Sequence, residues 1–111
     1  MIKEVKRPWG NFIEYVKNKK CTVKIITVNT GGILSKQFHK KREEFWVVLD
    51  DGLVVEIGKK KFKLKKGQEI KIKRKMIHRV FATKKARFLE ISFGEFDEKD
   101  IVRVEDKYGR K

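Results

Sequence analysis

The sequence predicts an all-β protein, on three observations. Its apolar residues fall in short clusters rich in Val, Ile and Phe, with Gly, Asp or Lys between them. No segment keeps a helical period over three turns, so a βαβ arrangement is not expected. The 111 residues, 40% of them hydrophobic, suffice for one buried core and are too few for two ordinary domains. We therefore expect a single β domain over residues 1–111.

The candidate strands follow one another along the whole chain. In order, the clusters are FIEYV, CTVKIITV, ILSKQFH, FWVVL, LVVEI, KFKL, EIKIK, IHRVFA, RFLEISF and DIVRV. Their spacing is typical of an antiparallel barrel or sandwich, and it predicts eight to ten strands. Turn signals in LDDGL, EIGKKKF and LKKGQE separate neighbouring clusters.

The charged residues predict a strongly basic surface. Lys and Arg total 30 against 15 Asp and Glu, which gives a formal net charge of +15. A solvated, lysine-rich surface explains most of this charge, and anionic partners are favoured. In residues 61–65 and 69–73 the lysines alternate with apolar residues. The apolar residues expected on the buried face are Phe62, Leu64, Ile70 and Ile72.

Other features of the composition indicate the cellular setting. The single cysteine, Cys21, has no partner for an internal disulfide, so a secreted disulfide framework is not expected. The chain has neither an apolar signal-peptide core nor an apolar run of about 18 residues, which argues against export and against a membrane span. We expect a cytoplasmic protein. Its many charges and few Cys and Met also suit high temperature.

Four side chains with oxygen or nitrogen donors stand among the apolar clusters. Gln37 and His39 are two residues apart, so they point to the same side of a strand. Glu44 joins them only if the polar stretch KKRE is a loop that starts a new strand. With His78, these donors suit a divalent ion such as Zn²⁺, which we prefer, or Mn²⁺, Fe²⁺, Co²⁺ or Ni²⁺.

The donor set favours an open metal site over a closed structural one. It contains no cysteine, and polar residues surround it, so water or substrate oxygens can complete the coordination. Taken singly, a His or Gln on a strand is more often a hydrogen-bonded core residue than a ligand. Both histidines of the chain, however, lie where a strand-built site needs them.

The ligand spacing is similar to the two sequence motifs of the cupin superfamily. Gly, five residues, Gln-x-His, four residues and Glu precede Gly67, ten residues and His78. Four further blocks, RPWGNF, LSKQFHKKREEFWVV, IHRV and EKDIVRVEDKYGR, resemble the cupin domain of type II mannose-6-phosphate isomerases. That domain closes the bifunctional isomerase and mannose-1-phosphate guanylyltransferase proteins. The resemblance runs from Arg7 to Arg110 and implies a single-domain cupin, a double-stranded β-helix or jelly-roll barrel.

The resemblance also implies a reaction and a set of site residues. The reaction is the interconversion of mannose 6-phosphate and fructose 6-phosphate through an enediol, assisted by the divalent metal. Glu90 is our candidate for the general base, and Arg42 for a second catalytic group. The candidate phosphate contacts are Arg42, Arg79, Arg103 and Lys36. A surface or structural role is an equal alternative for each arginine. Nucleotidyl transfer is not expected.

The chain departs from the family pattern at several positions. Lys40, Lys41 and Phe45 stand where the family has histidines, and Ser92 stands where it has glutamine. Residues expected to be proline, glycine and asparagine around the second motif are Lys73, Lys75 and Ala82. These departures favour an alternative function, a metal-binding cupin that recognises a sugar phosphate or another small anion without catalysis.

Two further expectations concern macromolecular partners. Residues 58–75 are basic enough to bind nucleic acid, with Phe62 as a stacking residue, but the strand alternation predicts that Phe62 faces the core. Nucleic acid is therefore the less favoured partner. Small cupins commonly hide sheet edges by pairing, so we expect a homodimer, with RPWG and its strand at the contact.

Overall fold

The computed structural model describes residues 2–94 and 99–105, and these residues form an all-β structure. The predicted fold class is confirmed. Eleven strands and no helix occur in the described ranges. The strands are β1 (Lys3–Arg7), β2 (Gly10–Glu14), β3 (Cys21–Val28), β4 (Lys36–Phe38), β5 (Glu43–Val48), β6 (Leu53–Ile57), β7 (Lys60–Lys63), β8 (Glu69–Ile72), β9 (His78–Ala82), β10 (Ala86–Phe93) and β11 (Val102–Glu105).

The strands form a hairpin and two larger antiparallel sheets. β1 and β2 make the hairpin, the first sheet has the order β3-β10-β5-β8, and the second has the order β11-β4-β9-β6-β7. Trp46, Val48 and Phe88 of the first sheet share one buried core with Val55 and Val80 of the second. The core thus lies between the inner faces of two sheets, as in a jelly roll.

Strand register decides which polar side chains reach the inside. Directly opposed residues on neighbouring strands point to the same face. In the second sheet, Arg103 is opposite Gln37, and Gln37 is opposite His78. In the first sheet, Glu90 is opposite the core residue Trp46. Each sheet therefore carries a row of polar residues on its inner face.

The structure differs from the predicted strands at the beginning of the chain. β1 was not predicted, because all of its residues except Val5 are charged and it therefore forms no apolar cluster. RPWG forms the turn between β1 and β2, and Trp9 is 73% exposed, so this residue is not part of the core. The cluster ILSKQFH is a strand only at Lys36–Phe38.

The expected burial of Phe62 is wrong. Its side chain is 46% exposed, whereas the other three apolar residues of the alternating segments pack in or against the core. Phe62 does share a face with the buried Val55, which lies opposite it. β7 is the end strand of its sheet, and among the described residues no strand lies beyond it to cover that side chain.

The C-terminal end of the family resemblance, residues 106–110, lies outside the described residues. Within residues 2–94 and 99–105, no helix is long and apolar enough to cross a membrane.

Candidate metal centre and cavity

His39, Glu44 and His78 come together between the two sheets. One donor atom from each lies within 4.8 Å of the other two, and the side chains are only 2% to 3% exposed. The predicted loop explains the meeting. β4 ends at Phe38 and β5 begins at Glu43, so the chain reverses in residues 39–42 and Glu44 points back toward His39. The three residues are close enough to share one ion.

Both histidines present the nitrogen that a metal needs. Nδ1 of His39 donates a hydrogen bond to the backbone oxygen of Asp100 (3.0 Å), and Nδ1 of His78 donates to that of Met76 (2.9 Å). Because a carbonyl oxygen only accepts, each Nε2 keeps a free lone pair. Nε2 of His78 is buried with no hydrogen-bond partner in the described structure. Burial lowers the pKa of His78 and keeps the imidazole neutral, the form that binds metals.

Glu44 is held in place by two neighbouring donors. Nε of Arg42 lies 3.2 Å from one carboxylate oxygen of Glu44, and Nε1 of Trp46 lies 3.1 Å from the other. The first oxygen is also 3.3 Å from Nε2 of His39. Although burial opposes ionisation, a hydrogen bond from Glu90 and the positive charge of Arg42 lower the pKa of Glu44. The residue is therefore a carboxylate, ready to ligate a cation.

Glu90 stands beside Glu44 in the opposite protonation state. Burial, together with the negative charge of Glu44, raises the pKa of Glu90 to about 8. The proton therefore resides on Glu90, which donates it in a hydrogen bond to Glu44. Two neighbouring carboxyl groups with pKa values pushed apart are typical of sites that transfer protons.

A cavity of about 390 Å³ opens beside the three candidate ligands. The residues that line it are Lys24, Ile26, Leu34, Ser35, Gln37, His39, Arg42, Glu44, Glu90, Ile101 and Arg103. Gln37 lines the cavity and lies opposite His78 on the adjacent strand. Nε of Arg103 is buried and has no hydrogen-bond partner among the residues described. The cavity therefore combines possible metal ligands, a protonated acid and an available guanidinium donor.

Two predicted substrate contacts lie away from this cavity. Lys36 precedes the inward-pointing Gln37 on its strand, so the Lys36 side chain points to the opposite face. It makes an ion pair of 3.6 Å with Glu56. Arg79 follows His78 on its strand, so its side chain points to the face opposite that of His78. It lies opposite Glu56 on the neighbouring strand, and its Nε donates a hydrogen bond to the backbone oxygen of Leu34. Both side chains thus belong to the outer face of their sheet, and the geometry does not support a phosphate contact for either.

Most departures from the family pattern also fall outside the cavity. Lys40 and Lys41 are exposed, and Phe45 packs on Tyr15 at a ring separation of 6.1 Å. Lys75 has a backbone φ of +65°, a conformation that glycine adopts freely, which accounts for the glycine expected there. Two departures are buried between the sheets: Ala82 belongs to the core, and Ser92 lies opposite Glu44, where its buried hydroxyl has no partner among the described residues.

Sequence reasoning missed three residues of the site. Trp46 is a core aromatic residue that also donates a hydrogen bond to Glu44. Asp100 orients His39, although no local motif connects residues so distant in sequence. Lys24 lines the cavity, and the strand alternation in CTVKIITV was the available signal, since Lys24 shares a face with Ile26 and Val28.

Comparison with known proteins identifies the family of this chain. A family model described as "Mannose-6-phosphate isomerase C-terminal" matches residues 1–106. The chain belongs to this family. It is 36% identical over 110 residues to the alginate biosynthesis protein AlgA of Pseudomonas aeruginosa, covering 96% of this chain and 23% of AlgA. It is 35% identical over 111 residues to a mannose-1-phosphate guanylyltransferase of Escherichia coli, and the match covers 97% of this chain and 24% of that protein. The chain thus spans about a quarter of the length of these relatives.

Solved structures confirm the cupin fold of this family member. The capsular polysaccharide assembling protein CapF of Staphylococcus aureus superposes with a TM-score of 0.71 at 13% identity, over 96% of this chain and 33% of CapF. A protein with a double-stranded β-helix domain from Klebsiella pneumoniae superposes with a TM-score of 0.68 at 14% identity. The match covers 83% of this chain and 81% of that protein. The family implies a divalent metal, and the neutral imidazole of His78, the Nε2 atom of His39 and the carboxylate of Glu44 fit one.

Proposed function

We propose that this protein is a metal-dependent isomerase of mannose 6-phosphate and fructose 6-phosphate. The observation that carries the proposal is one cavity lined by candidate metal ligands, by Glu90 and by Arg103. These are the three groups that an aldose-ketose isomerisation of a phosphorylated sugar requires. Family membership and the sugar-nucleotide enzyme among the relatives support a sugar phosphate as the substrate.

The metal would be held by His39, Glu44 and His78, with Gln37 as the fourth ligand. A bound divalent ion, zinc by preference, would supply Lewis-acid stabilisation for the negative charge that develops on sugar oxygens. The chain orients its ligands before any ion binds. The carbonyls of Asp100 and Met76 fix the histidine rings, and Trp46 together with Arg42 fixes Glu44.

Glu90 is the proposed general base. Its pKa of about 8 lies close to neutral pH, where a carboxyl group can both take up and release a proton. In the forward direction the ionised form of Glu90 removes the proton from C2 of mannose 6-phosphate, and the C1 carbonyl oxygen takes a proton from solvent to form the enediol. Glu90 then delivers its proton to C1 while the C2 hydroxyl releases its proton to solvent, which gives the ketone of fructose 6-phosphate and returns Glu90 to its ionised form.

Arg103 is the proposed phosphate contact on the second sheet. Its side chain is directed toward the inner face, opposite Gln37, and lines the same cavity. A guanidinium fork matches two phosphate oxygens at once. Arg42, which we also considered for this role, is engaged by Glu44 through its Nε and is 4% exposed. We assign Arg42 to the positioning of Glu44 rather than to substrate binding.

A second candidate function is supported by Ser92. The family glutamine at this position is replaced by a shorter side chain directly opposite Glu44, so one polar group of the usual pocket is absent. A cupin that binds a metal and a sugar phosphate without turnover is the corresponding alternative.

A coupled assay separates the two functions. Zinc-loaded protein should convert mannose 6-phosphate to fructose 6-phosphate, and Glu90→Gln should lower kcat by about 100-fold or more, because general-base catalysis contributes at least that much. Elemental analysis of His39→Ala and His78→Ala should show loss of the ion. Turnover at background in fully loaded wild-type protein would reject the isomerase and leave the binding protein. Full metal content in both histidine variants would reject the metal centre.

A further inference from the structure

The geometry points to Lys24 as a second phosphate contact, which acts with Arg103 and makes the cavity selective for phosphate monoesters over neutral sugars. This inference rests on the proposed function and deepens it. Nothing in the ligand motifs involves Lys24, which lies on β3, before the first of them.

Lys24 is an inward-pointing cation on the last strand of a sheet. On β3 the neighbouring Val23 and Ile25 are 55% and 59% exposed, so they occupy the outer face. Lys24 is half-buried, lies opposite Glu90 and lines the cavity. An ammonium group turned toward the interior loses hydration, and it is stabilised when an anion meets it there.

The cavity lining contains more cationic than acidic side chains. Its lining includes three cationic residues, Lys24, Arg42 and Arg103, and two acidic ones, Glu44 and Glu90. Arg42 already contacts Glu44. If a divalent ion is bound as proposed, the positive charge of the cavity increases further. A dianionic phosphate is the ligand group that balances it.

Two walls of the cavity supply these cations. Lys24 comes from β3 and Arg103 from β11, which are the end strands of the two different sheets. Both residues line one cavity, so a phosphate group can contact the ammonium on one wall and the guanidinium on the other. The hydroxyl and carbonyl end of the sugar is then directed toward His39, Glu44 and His78. A phosphate between the two end strands, with the sugar directed toward the metal, defines the proposed binding orientation.

An inward-pointing lysine on an end strand has a competing explanation. Such residues also protect a sheet edge from pairing with another chain. That explanation predicts no effect of Lys24 on ligand affinity.

Calorimetric titrations of zinc-loaded protein with mannose 6-phosphate and with mannose distinguish the two explanations. Lys24→Gln should weaken mannose 6-phosphate binding about tenfold or more, because a hydrogen bond to a charged group is lost, and leave mannose binding unchanged. Lys24→Arg should retain most of the phosphate affinity. Lys71→Gln removes an exposed lysine from β8 and should have no effect.

The outcomes test this inference separately from the isomerase proposal. Equal mannose 6-phosphate affinity in wild type and folded Lys24→Gln would overturn the role of Lys24, even if the wild type isomerises its substrate. A phosphate-specific loss in a protein without turnover would support Lys24 and reject only the isomerase. If Lys24→Gln does not fold, Lys24→Arg provides the test: an affinity as low as that for mannose would overturn the inference.

Discussion

The backbone oxygen of Asp100 accepts a hydrogen bond from Nδ1 of His39, at 3.0 Å, across 61 residues of sequence. The carboxylate of Asp100 accepts two more, from the backbone N–H groups of Lys40 and Lys41 at 3.0 and 2.8 Å. These two bonds lower the pKa of Asp100 against the opposing effect of burial, so the side chain remains ionised. One residue thus fixes both the ring of a candidate ligand and the loop that follows it.

Asp100→Ala should weaken metal binding about 10- to 100-fold, the range found when residues that orient ligands are removed. The backbone oxygen remains, but the loop at residues 40 and 41 loses both bonds to the carboxylate. Competition with a chromophoric zinc chelator measures the affinity. Asp51→Ala is the matched control, because Asp51 accepts one backbone N–H, from Lys66 at 2.8 Å, on the surface. Equal affinities in the two variants would contradict the prediction.

Arg42→Met should destabilise the metal-free protein by about 3 kcal/mol or more, since it leaves the Glu44 carboxylate buried without its ion-pair partner. Urea unfolding measures the change. Arg87→Met is a suitable comparison, because Arg87 pairs with Asp50 at 2.8 Å with both side chains substantially exposed. Its effect should be much smaller, because solvent screens an exposed pair. Similar losses in both variants would show that the Glu44 contact is not stabilising.

The features that the sequence predicts are those set by the alternation of residues along a strand and by the spacing of residues along the chain. Gln37, His39, Glu44 and His78 were selected as candidate ligands because strand period and loop length determine where they point. The structure brings His39, Glu44 and His78 together. The loop at residues 39–42, on which the position of Glu44 depends, is present. The all-β class follows from the same short apolar clusters.

The features that were missed depend on which strand lies beside which. Phe62 lies on the expected face of β7, but β7 is the end strand of its sheet. The order of strands in a sheet cannot be read from a local sequence pattern. Arg79 and Lys36 matched the family positions, yet each alternates with an inward-pointing residue and therefore points outward. Asp100 reaches His39 only through the pairing of β11 with β4.

The raised pKa of Glu90 predicts a pH dependence of the metal-free protein. Between about pH 5 and pH 8 the carboxyl ionises in the unfolded chain but stays protonated in the folded one, whose pKa is about 8. The folded state binds more protons, so the contribution of this residue to stability falls as pH rises. The positive charges of Arg42 and Lys24 oppose the shift and are smaller effects than burial and Glu44.

Urea unfolding of wild type and Glu90→Gln, both treated with chelator, isolates this contribution. The stability of the wild type relative to the variant should decrease from about pH 5 to about pH 8, because glutamine is neutral throughout. His78, whose pKa is lowered, titrates in both proteins, so its effect is removed by the comparison. Parallel stability curves for the two proteins would contradict the assigned protonation of Glu90.

We expect a homodimer that forms through the β1–β2 hairpin and the outer face of β3. Trp9, Phe12 and Ile13 on the hairpin are 41% to 73% exposed, and Val23 and Ile25 on β3 are exposed as well. Two copies related by a twofold axis can cover both surfaces at once. The net charge of +15 on each chain opposes association, so added salt should strengthen the dimer by screening that repulsion.

Light scattering after size exclusion, at low and high salt, measures this association. Trp9→Ser should shift the protein toward monomer, because it removes the most exposed large apolar side chain of the proposed contact. Phe62→Ser removes a comparably exposed aromatic residue from β7, at the far edge of the other sheet, and should leave the mass unchanged. Since both substitutions reduce surface hydrophobicity, only a specific contact predicts a difference between them. A monomeric wild type, or equal shifts in both variants, would reject this interface.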